Sequence, residues 1–234
     1  MKTPPMFIMK LHGLLLYLLL STLNNIAADT IPPEFGYAKE VIPNLIEDMR
    51  YFSTDNFVGQ RIHGYQAPRC ILSQPALAAL AKLQTQLRAF GLGIKVFDRY
   101  RPQQAVNHFV QWAKDLDAMD TKAKYYPGVD KRDLFKLEYI SDHSSHSRGS
   151  TVDLSLVFIN SGSIQDVDMG TQFDFFGPQS WPDSKAVSPQ QRANRLLLRS
   201  LMLAHGFIPY PQEWWHFTLE REPFPDQYFD FTVH

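Results

Sequence analysis

Residues 151–158, Thr-Val-Asp-Leu-Ser-Leu-Val-Phe, constrain the fold more than any other stretch of the chain. Val152, Leu154, Leu156 and Phe158 alternate with Asp153 and Ser155, and a period of two puts the first set on one face of a strand and the second on the other. Such a strand is half-buried, so it belongs to a sheet whose apolar face is covered by other elements. It also carries a carboxylate, Asp153, on the face turned away from the apolar side chains. The preceding run, Ser144-Ser145-His146-Ser147-Arg148-Gly149-Ser150, is rich in Ser and Gly and reads as a loop. His146 is therefore free to fold its imidazole back over the strand's polar face.

Segments of helical period supply the cover. Ser73 is a candidate N-cap with Pro75 in the first turn, and Leu77, Leu80, Leu83, Leu87 and Phe90 recur at helical spacing until Gly91 ends the run. Ile94 to Phe97 reads as a short strand. Arg101-Pro102 opens a second helix with Ala105, Val106, Phe109, Ala113 and Leu116 on one face. Ser188-Pro189 opens a third, with Gln191 placed for a capping box, and it runs through Leu196, Leu197 and Leu201 to Gly206. No repeat or internal boundary interrupts these segments. With 234 residues, 44% of them hydrophobic, the chain has the material for one sizeable core.

The N-terminus is organised differently. Lys2 and Lys10 precede an apolar run from Leu11 to Leu20, and the small residues Ala27 and Ala28 follow. This is the order of a secretory signal peptide, and the run is too short to span a bilayer comfortably. Residues 1–28 are expected to be cleaved near Ala28, leaving a domain at residues 29–234 that is periplasmic or secreted, without stable membrane association. An uncleaved anchor is the alternative reading of the same run. Lys plus Arg (23) nearly balance Asp plus Glu (24), so no global field draws the chain to nucleic acid or an anionic membrane. Cys70 is the single cysteine, so an exported chain forms no internal disulfide and relies on its core or a bound metal. Its setting, Arg69-Cys70-Ile71-Leu72, suits inert packing better than a catalytic thiol.

The second informative segment is Glu213-Trp214-Trp215-His216-Phe217-Thr218-Leu219, which has the aromatic and β-branched content of a strand. On a regular strand Trp214, His216 and Thr218 share a face and Glu213 points the other way. Glu213 and His216 meet only if Glu213 sits at an irregular strand entrance. Two imidazoles and a carboxylate suit a divalent metal and leave a position open for water, while a neighbouring carboxylate supplies a general base. Taken singly, His-x6-Asp and Glu-x-x-His are weak signals that also arise by chance, and a single His is more often a structural or surface residue.

Together the two segments are more specific. Ser-x-His-x6-Asp at Ser144–Asp153, followed about sixty residues later by Glu-x-Trp-His at Glu213–His216, resembles the zinc D-Ala-D-Ala peptidases, and the fuller pattern is similar to the VanX-type D-alanyl-D-alanine dipeptidases. The resemblance runs through Met49-Arg50-Tyr51, Asp55-Asn56-Phe57, Gly64-Tyr65, Asp98-Arg99-Tyr100-Arg101-Pro102, Gln111-Trp112-Ala113, Tyr125-Tyr126-Pro127, Ser144 to Leu156, Met169-Gly170-Thr171, Phe173-Asp174-Phe175 and Tyr228-Phe229-Asp230-Phe231. That is nearly all of the chain beyond the leader.

The resemblance implies a single α+β domain, a mixed or antiparallel sheet flanked by helices with a zinc site on its polar face. It implies one Zn2+ per chain held by His146, Asp153 and His216, with Glu213 as the base toward the attacking water and Arg101 as the cation that stabilises the oxyanion. An ion pair with Asp98 at a helix start is the plainer reading of Arg101, and the two are compatible because a carboxylate can orient a guanidinium. Asp174 is implied to meet the ammonium of a free dipeptide, with Tyr51 and Ser144 lining a small pocket. A cap or surface acid remains the alternative for Asp174, and core packing and loop hydrogen bonding remain so for Tyr51 and Ser144. The implied substrate is the small dipeptide D-alanyl-D-alanine.

Two departures from the pattern bear on function. Arg99 stands where a small residue is commoner, and is expected to put a second cation near the site. The leader is the other departure: an exported enzyme cannot reach a cytoplasmic precursor, which points to scavenging from wall turnover rather than antibiotic resistance. His143 reads as a solvated loop residue, because a fourth ligand would fill the position that water needs. Asp166, Asp168 and Asp174 lack the spacing and closing Glu of a calcium loop. Two competing functions stay open: a zinc D,D-carboxypeptidase acting on stem peptides through an open cleft, and a non-hydrolytic zinc or ligand-binding module, against which the presence of Glu213 argues.

Overall fold

The structure, a computed structural model, describes residues 1–2, 31–160 and 163–234; the expected leader lies outside the described residues apart from Met1 and Lys2. From Ile31 onward the order is β1 (Phe35–Tyr37), α1 (Ala38–Val41), β2 (Ile46–Glu47), β3 (Ile71–Ser73), α2 (Gln74–Arg88), β4 (Leu92–Asp98) and α3 (Gln103–Lys114). Then come α4 (Lys122–Tyr125), β5 (Thr151–Asn160), β6 (Ser163–Asp166), α5 (Pro189–Ala204), β7 (Phe207–Pro209) and β8 (His216–Leu219). In the main sheet β2, β4, β5, β8 and β7 lie side by side, with β2 parallel to β4 and the other neighbours antiparallel. β6 folds back on the C-terminal end of β5, and β1 pairs with β3 separately. This is the expected α+β domain with a mixed sheet. Among the described residues no helix is long and apolar enough to cross a membrane.

The alternation in β5 works as the sequence predicts over most of its length: Val152, Leu154 and Leu156 are fully buried beside Ile94 and Val96 of β4. Leu77, Leu80, Leu83 and Leu87 of α2 belong to the same core. Burial of each such side chain is worth about 1.5–3 kcal/mol. Gln84 of α2 accepts the Ile94 N–H at 3.0 Å, so a polar side chain in this helix also ties it to β4. α5 begins with the expected capping box, Ser188 Oγ accepting from Gln191 N–H and Gln191 Oε1 accepting from Ser188 N–H.

Several side chains expected in the core are exposed instead. Phe90 and Leu116 lie beyond the last residues of α2 and α3, where the helical phase that would turn them inward no longer holds. Phe158 lies where β5 runs out to pair with β6. On α5 the buried stripe is Arg195, Leu198 and Met202, while Leu196 and Leu197 face outward. The Leu-rich run 196–198 offers more than one apolar phase, and the buried arginine marks the one used. Ser73 stands at the N-cap of α2, but its hydroxyl bonds Ser150 Oγ at 2.7 Å rather than a helix N–H.

One irregularity decides what lies on the polar face. Val96 of β4 faces Leu154, yet it is Asp98, not Phe97, that faces Asp153. A one-residue slip moves the following side chains to the opposite face. Asp98, which regular counting puts with Ile94 and Val96, therefore joins Asp153.

Candidate metal centre and substrate pocket

Strand register builds half of the centre. Asp153 of β5 and His216 of β8 are direct partners across an antiparallel pair, two residues along from the Thr151–Thr218 pair, whose hydroxyls bond at 2.9 Å. Opposed residues project from the same face with their Cβ atoms about 5 Å apart, so this register alone brings the carboxylate and the imidazole together. His146 arrives on a 3-10 turn, Ser145–Arg148, capped by Ser144 Oγ accepting the His146 N–H at 3.3 Å. The turn ends at Gly149 with φ 83°, where a Cβ would stand 2.2 Å from the Phe35 ring, so only glycine fits. The expected loop is thus one tight helical turn.

His146 Nδ1 lies 2.8 Å from the Arg99 carbonyl, which can only accept, so Nδ1 carries the proton and Nε2 offers its lone pair. Nε2 is 3.3 Å from Asp153 Oδ2 and 3.3 Å from His216 Nδ1, which in turn is 3.1 Å from Asp153 Oδ1. Asp153 Oδ1 is buried without an aligned hydrogen-bond donor. Two nitrogens and a buried carboxylate oxygen converging in this way, all within 4.8 Å of one another, suit a divalent cation, and among the described residues no other such group of His, Cys, Asp and Glu converges. Burial opposes the charge on Asp153, but the two imidazoles outweigh it and hold the carboxyl well below its ordinary range.

Glu213 joins this group because the strand has not yet begun there. Its carbonyl accepts the His216 N–H at 3.4 Å, closing a turn over Trp214 and Trp215, both buried. The turn brings Glu213 Oε2 to 3.4 Å from His216 Nδ1, resolving the facing problem of a regular strand. Burial pushes the Glu213 carboxyl up to about 7, against the pull of His216.

Arg101 and Asp174 complete the walls of a cavity of about 690 Å³ that Glu213, His216, Asp153, Tyr51 and Ser144 also line. The Arg101 guanidinium donates from Nε to Asp98 Oδ2 at 2.9 Å, sits with Nη2 2.8 Å from the same oxygen, and donates from Nη1 to Ser144 Oγ at 3.3 Å. It also stands 5.3 Å from the Tyr51 ring. Asp174 accepts from Tyr51 Oη at 3.1 Å on Oδ1, while its Oδ2 is buried without a partner. Burial, and then the charge of Asp153, push the Asp174 carboxyl well above the carboxylate range.

The D-Ala-D-Ala dipeptidase family profile matches residues 33–234. A D-alanyl-D-alanine dipeptidase of Streptomyces coelicolor is 38% identical over 86% of this chain and 98% of its own length, and one of Enterococcus faecalis is 38% identical over 85% and 98%. One from Escherichia coli is 35% identical over 77% of this chain and 82% of its own. This chain belongs to the D-Ala-D-Ala dipeptidase family. Peptidases of this family depend on a metal, and His146, Asp153 and His216 are the group of side chains able to hold one.

Arg99, the departure from the family pattern, is near the centre through Asp98 but does not line the pocket. It is fully buried, with Nε donating to the Arg69 carbonyl at 2.9 Å, Nη1 donating to Asp98 Oδ1 at 3.2 Å, and the guanidinium 4.3 Å from the Tyr65 ring. What Arg99 offers the site is its backbone carbonyl, which meets His146. His143 stays exposed beside Asp142 at the cavity wall, outside the ligand group. Asp166, Asp168 and Asp174 do not converge: they pair with Lys95, Gln191 and Tyr51 respectively. Cys70 is buried, and burial pushes its thiol far up, as inert packing requires.

Asp98 escaped the sequence reading except as an ion-pair partner. Its Oδ2 takes Arg101 and lies 3.5 Å from His146 Nδ1; its Oδ1 takes Arg99 and Tyr65 Oη, the latter at 3.0 Å. A single buried carboxylate therefore touches both the pocket arginine and a candidate ligand. Its Asp-x-x-Arg spacing was visible, but the bulge that aims it was not.

Proposed function

We propose that this protein is an exported zinc dipeptidase that hydrolyses free D-alanyl-D-alanine, with the metal held by His146, Asp153 and His216. The observation that carries the reading is the meeting of the two chain segments: the 146–153 turn and strand and the 213–216 turn deliver three ligand atoms and one further carboxylate to the floor of one cavity. Zinc suits two imidazole nitrogens and a carboxylate, and when bound it polarises the scissile carbonyl and lowers the pKa of water toward about 7. Glu213, beside His216 and poised near neutrality, takes the proton of the attacking water and returns it to the leaving amine. Arg101, held by Asp98 and Ser144, faces the oxyanion that forms.

Asp174 accounts for the preference for a free dipeptide. Its unpartnered Oδ2 calls for a hydrogen-bond donor, and an arriving ammonium supplies both that donor and the positive charge that favours the ionised carboxylate over the neutral acid, whereas an amide brings no charge. Tyr51 holds the other oxygen, and Ser144 ties Arg101 to the turn that carries His146. A second reading has one observation in its favour. The cavity exceeds what two alanines fill, and Phe135, Ile208 and Tyr210 at its wall could receive a longer chain, as a zinc D,D-carboxypeptidase on stem peptides requires. Metal analysis of the purified protein, with D-alanine release from D-alanyl-D-alanine and from an N-acylated stem peptide, separates the two. Stoichiometric zinc and a strong preference for the free dipeptide are expected, and preference for the acylated substrate would sink the dipeptidase reading.

Export rests on the leader-like order of residues 1–28. Scavenging of dipeptide released in wall turnover follows from that location. Cell fractionation tests it: active protein recovered from the cytoplasm would overturn it.

A further inference from the structure

Residues 167–181 carry Asp174 yet contain only a 3-10 turn at Pro178–Ser180, so packing partners must decide where that carboxylate stands. Asp174 itself has φ 59°, a conformation that residues other than glycine adopt when their surroundings impose it. On either side of it the stretch is tied to Arg195 of α5, which is 1% exposed. Its Nε donates to the Met169 carbonyl at 2.6 Å, and its Nη1 donates to the Gln179 and Trp181 carbonyls, each at 2.8 Å. These acceptors bracket Asp174, one ahead of it in the chain and two behind.

Among the described residues no carboxylate forms an ion pair with this guanidinium, Asp168 acting on it only by its charge at longer range, and Nη2 is buried without a hydrogen-bond partner. Burial pulls it down to about 10, so it is still a cation at neutral pH. A buried charge whose hydrogen bonds all go to backbone carbonyls is costly to maintain, and here those bonds hold both ends of one loop. Trp214, 5.9 Å from the guanidinium, reinforces the clamp: its indole N–H donates to Thr171 Oγ1 at 2.8 Å and its backbone N–H to the Ser180 carbonyl at 3.0 Å. Ser180 Oγ in turn donates to the Phe175 carbonyl at 2.6 Å, next to Asp174.

We propose that Arg195 is a positioning residue for substrate selectivity, placing Asp174 at the ammonium end of the pocket by clamping both ends of the 169–181 loop. The proposal rests on the ammonium role of Asp174 argued above. Arg195 touches no substrate, so its effect belongs to ground-state recognition of the amino group.

The test compares kcat/KM for D-alanyl-D-alanine with that for N-propionyl-D-alanine, the same molecule without its amino group, using the full metal-loaded enzyme. Arg195→Met is expected to lower the ratio of the two by about tenfold or more, through KM for the dipeptide, with its kcat and the propionyl compound nearly unchanged. Arg195→Lys should recover part of the ratio. Combining Arg195→Met with Asp174→Asn should cost little beyond Asp174→Asn alone, because the two act through one contact. Equal losses on both substrates, or a fall confined to kcat, would overturn the proposal as a merely structural role. Should Arg195→Met fail to fold, Thr171→Val, which cuts the Trp214 bond to the same loop, must move the ratio in the same direction by a smaller factor; no movement overturns the clamp. Asp174→Asn alone distinguishes the underlying reading: if it leaves the ratio untouched, the ammonium role fails and the clamp with it, whereas a collapsed ratio there and an intact one in Arg195→Met rejects only the clamp.

Discussion

Asp153 and His216 face each other across a hydrogen-bonded pair of strands, whereas Asp174 stands at φ 59° on a stretch that is neither strand nor helix around it. At the first place, backbone ladders that the core already requires set the side chains, so the donor atoms converge as a by-product of register. At the second, nothing periodic sets the backbone, and a buried arginine, a tryptophan and short polar bonds do so instead. Under the proposed function the difference suits the two tasks. Reaction chemistry shared by a family belongs on rigid elements, and discrimination among substrates can be retuned on a loop without disturbing them.

The largest expected effect tests the sheet-built side. Glu213→Gln should lower kcat by about 10²–10⁴-fold while bound metal stays stoichiometric, as steady-state kinetics and metal analysis will report. Loss of metal in that variant would make Glu213 a ligand and redraw the centre. Next comes the bulge residue: Asp98→Asn should cut kcat/KM by about 10–100-fold, with weaker metal binding, because it loosens Arg101 and disturbs the surroundings of His146 together. If titration with zinc and the kinetics are both unaltered, the link between the two is only structural. Gly149→Ala tests the turn that delivers His146. It forces an alanine into a left-handed conformation against Phe35, and thermal or urea unfolding should show a loss of about 1–3 kcal/mol or more. Smallest of all, Leu196→Ser on the outer face of α5 should change stability by no more than about 0.5 kcal/mol in the same unfolding measurement.

Legibility followed the same division. The two-residue alternation at 152–156 and the capping box at Ser188 are local patterns, and both appear as read. Leu196 and Leu197 lie in the helix as read, but three successive leucines, with an arginine before them, leave the buried phase open until tertiary contacts choose it. Arg99 illustrates what position in the chain leaves open. Its charge is near the site, as read, but just past the end of β4 the side chain is buried against Tyr65 and Asp98 and does not reach the pocket, where only its carbonyl meets His146. The spacing of Glu213 and His216 posed the question of an irregular strand entrance without answering it. The Glu213–His216 turn answers it, since a backbone bond to the second residue of the pair rotates the first out of strand geometry.

The inventory is legible in the chain alone: which side chains can bind a metal, accept a proton or pair with a charge, and which short segments are strands or helices, because those depend on chemistry and near-neighbour periodicity. The tertiary structure alone decided that Asp153 lies opposite His216, that a bulge turns Asp98 to the same face, and that Arg195 reaches around Asp174. Each of these depends on register or on contacts between residues far apart in the chain, and a one-residue slip in either strand would leave the inventory unchanged while turning the side chains to the wrong face.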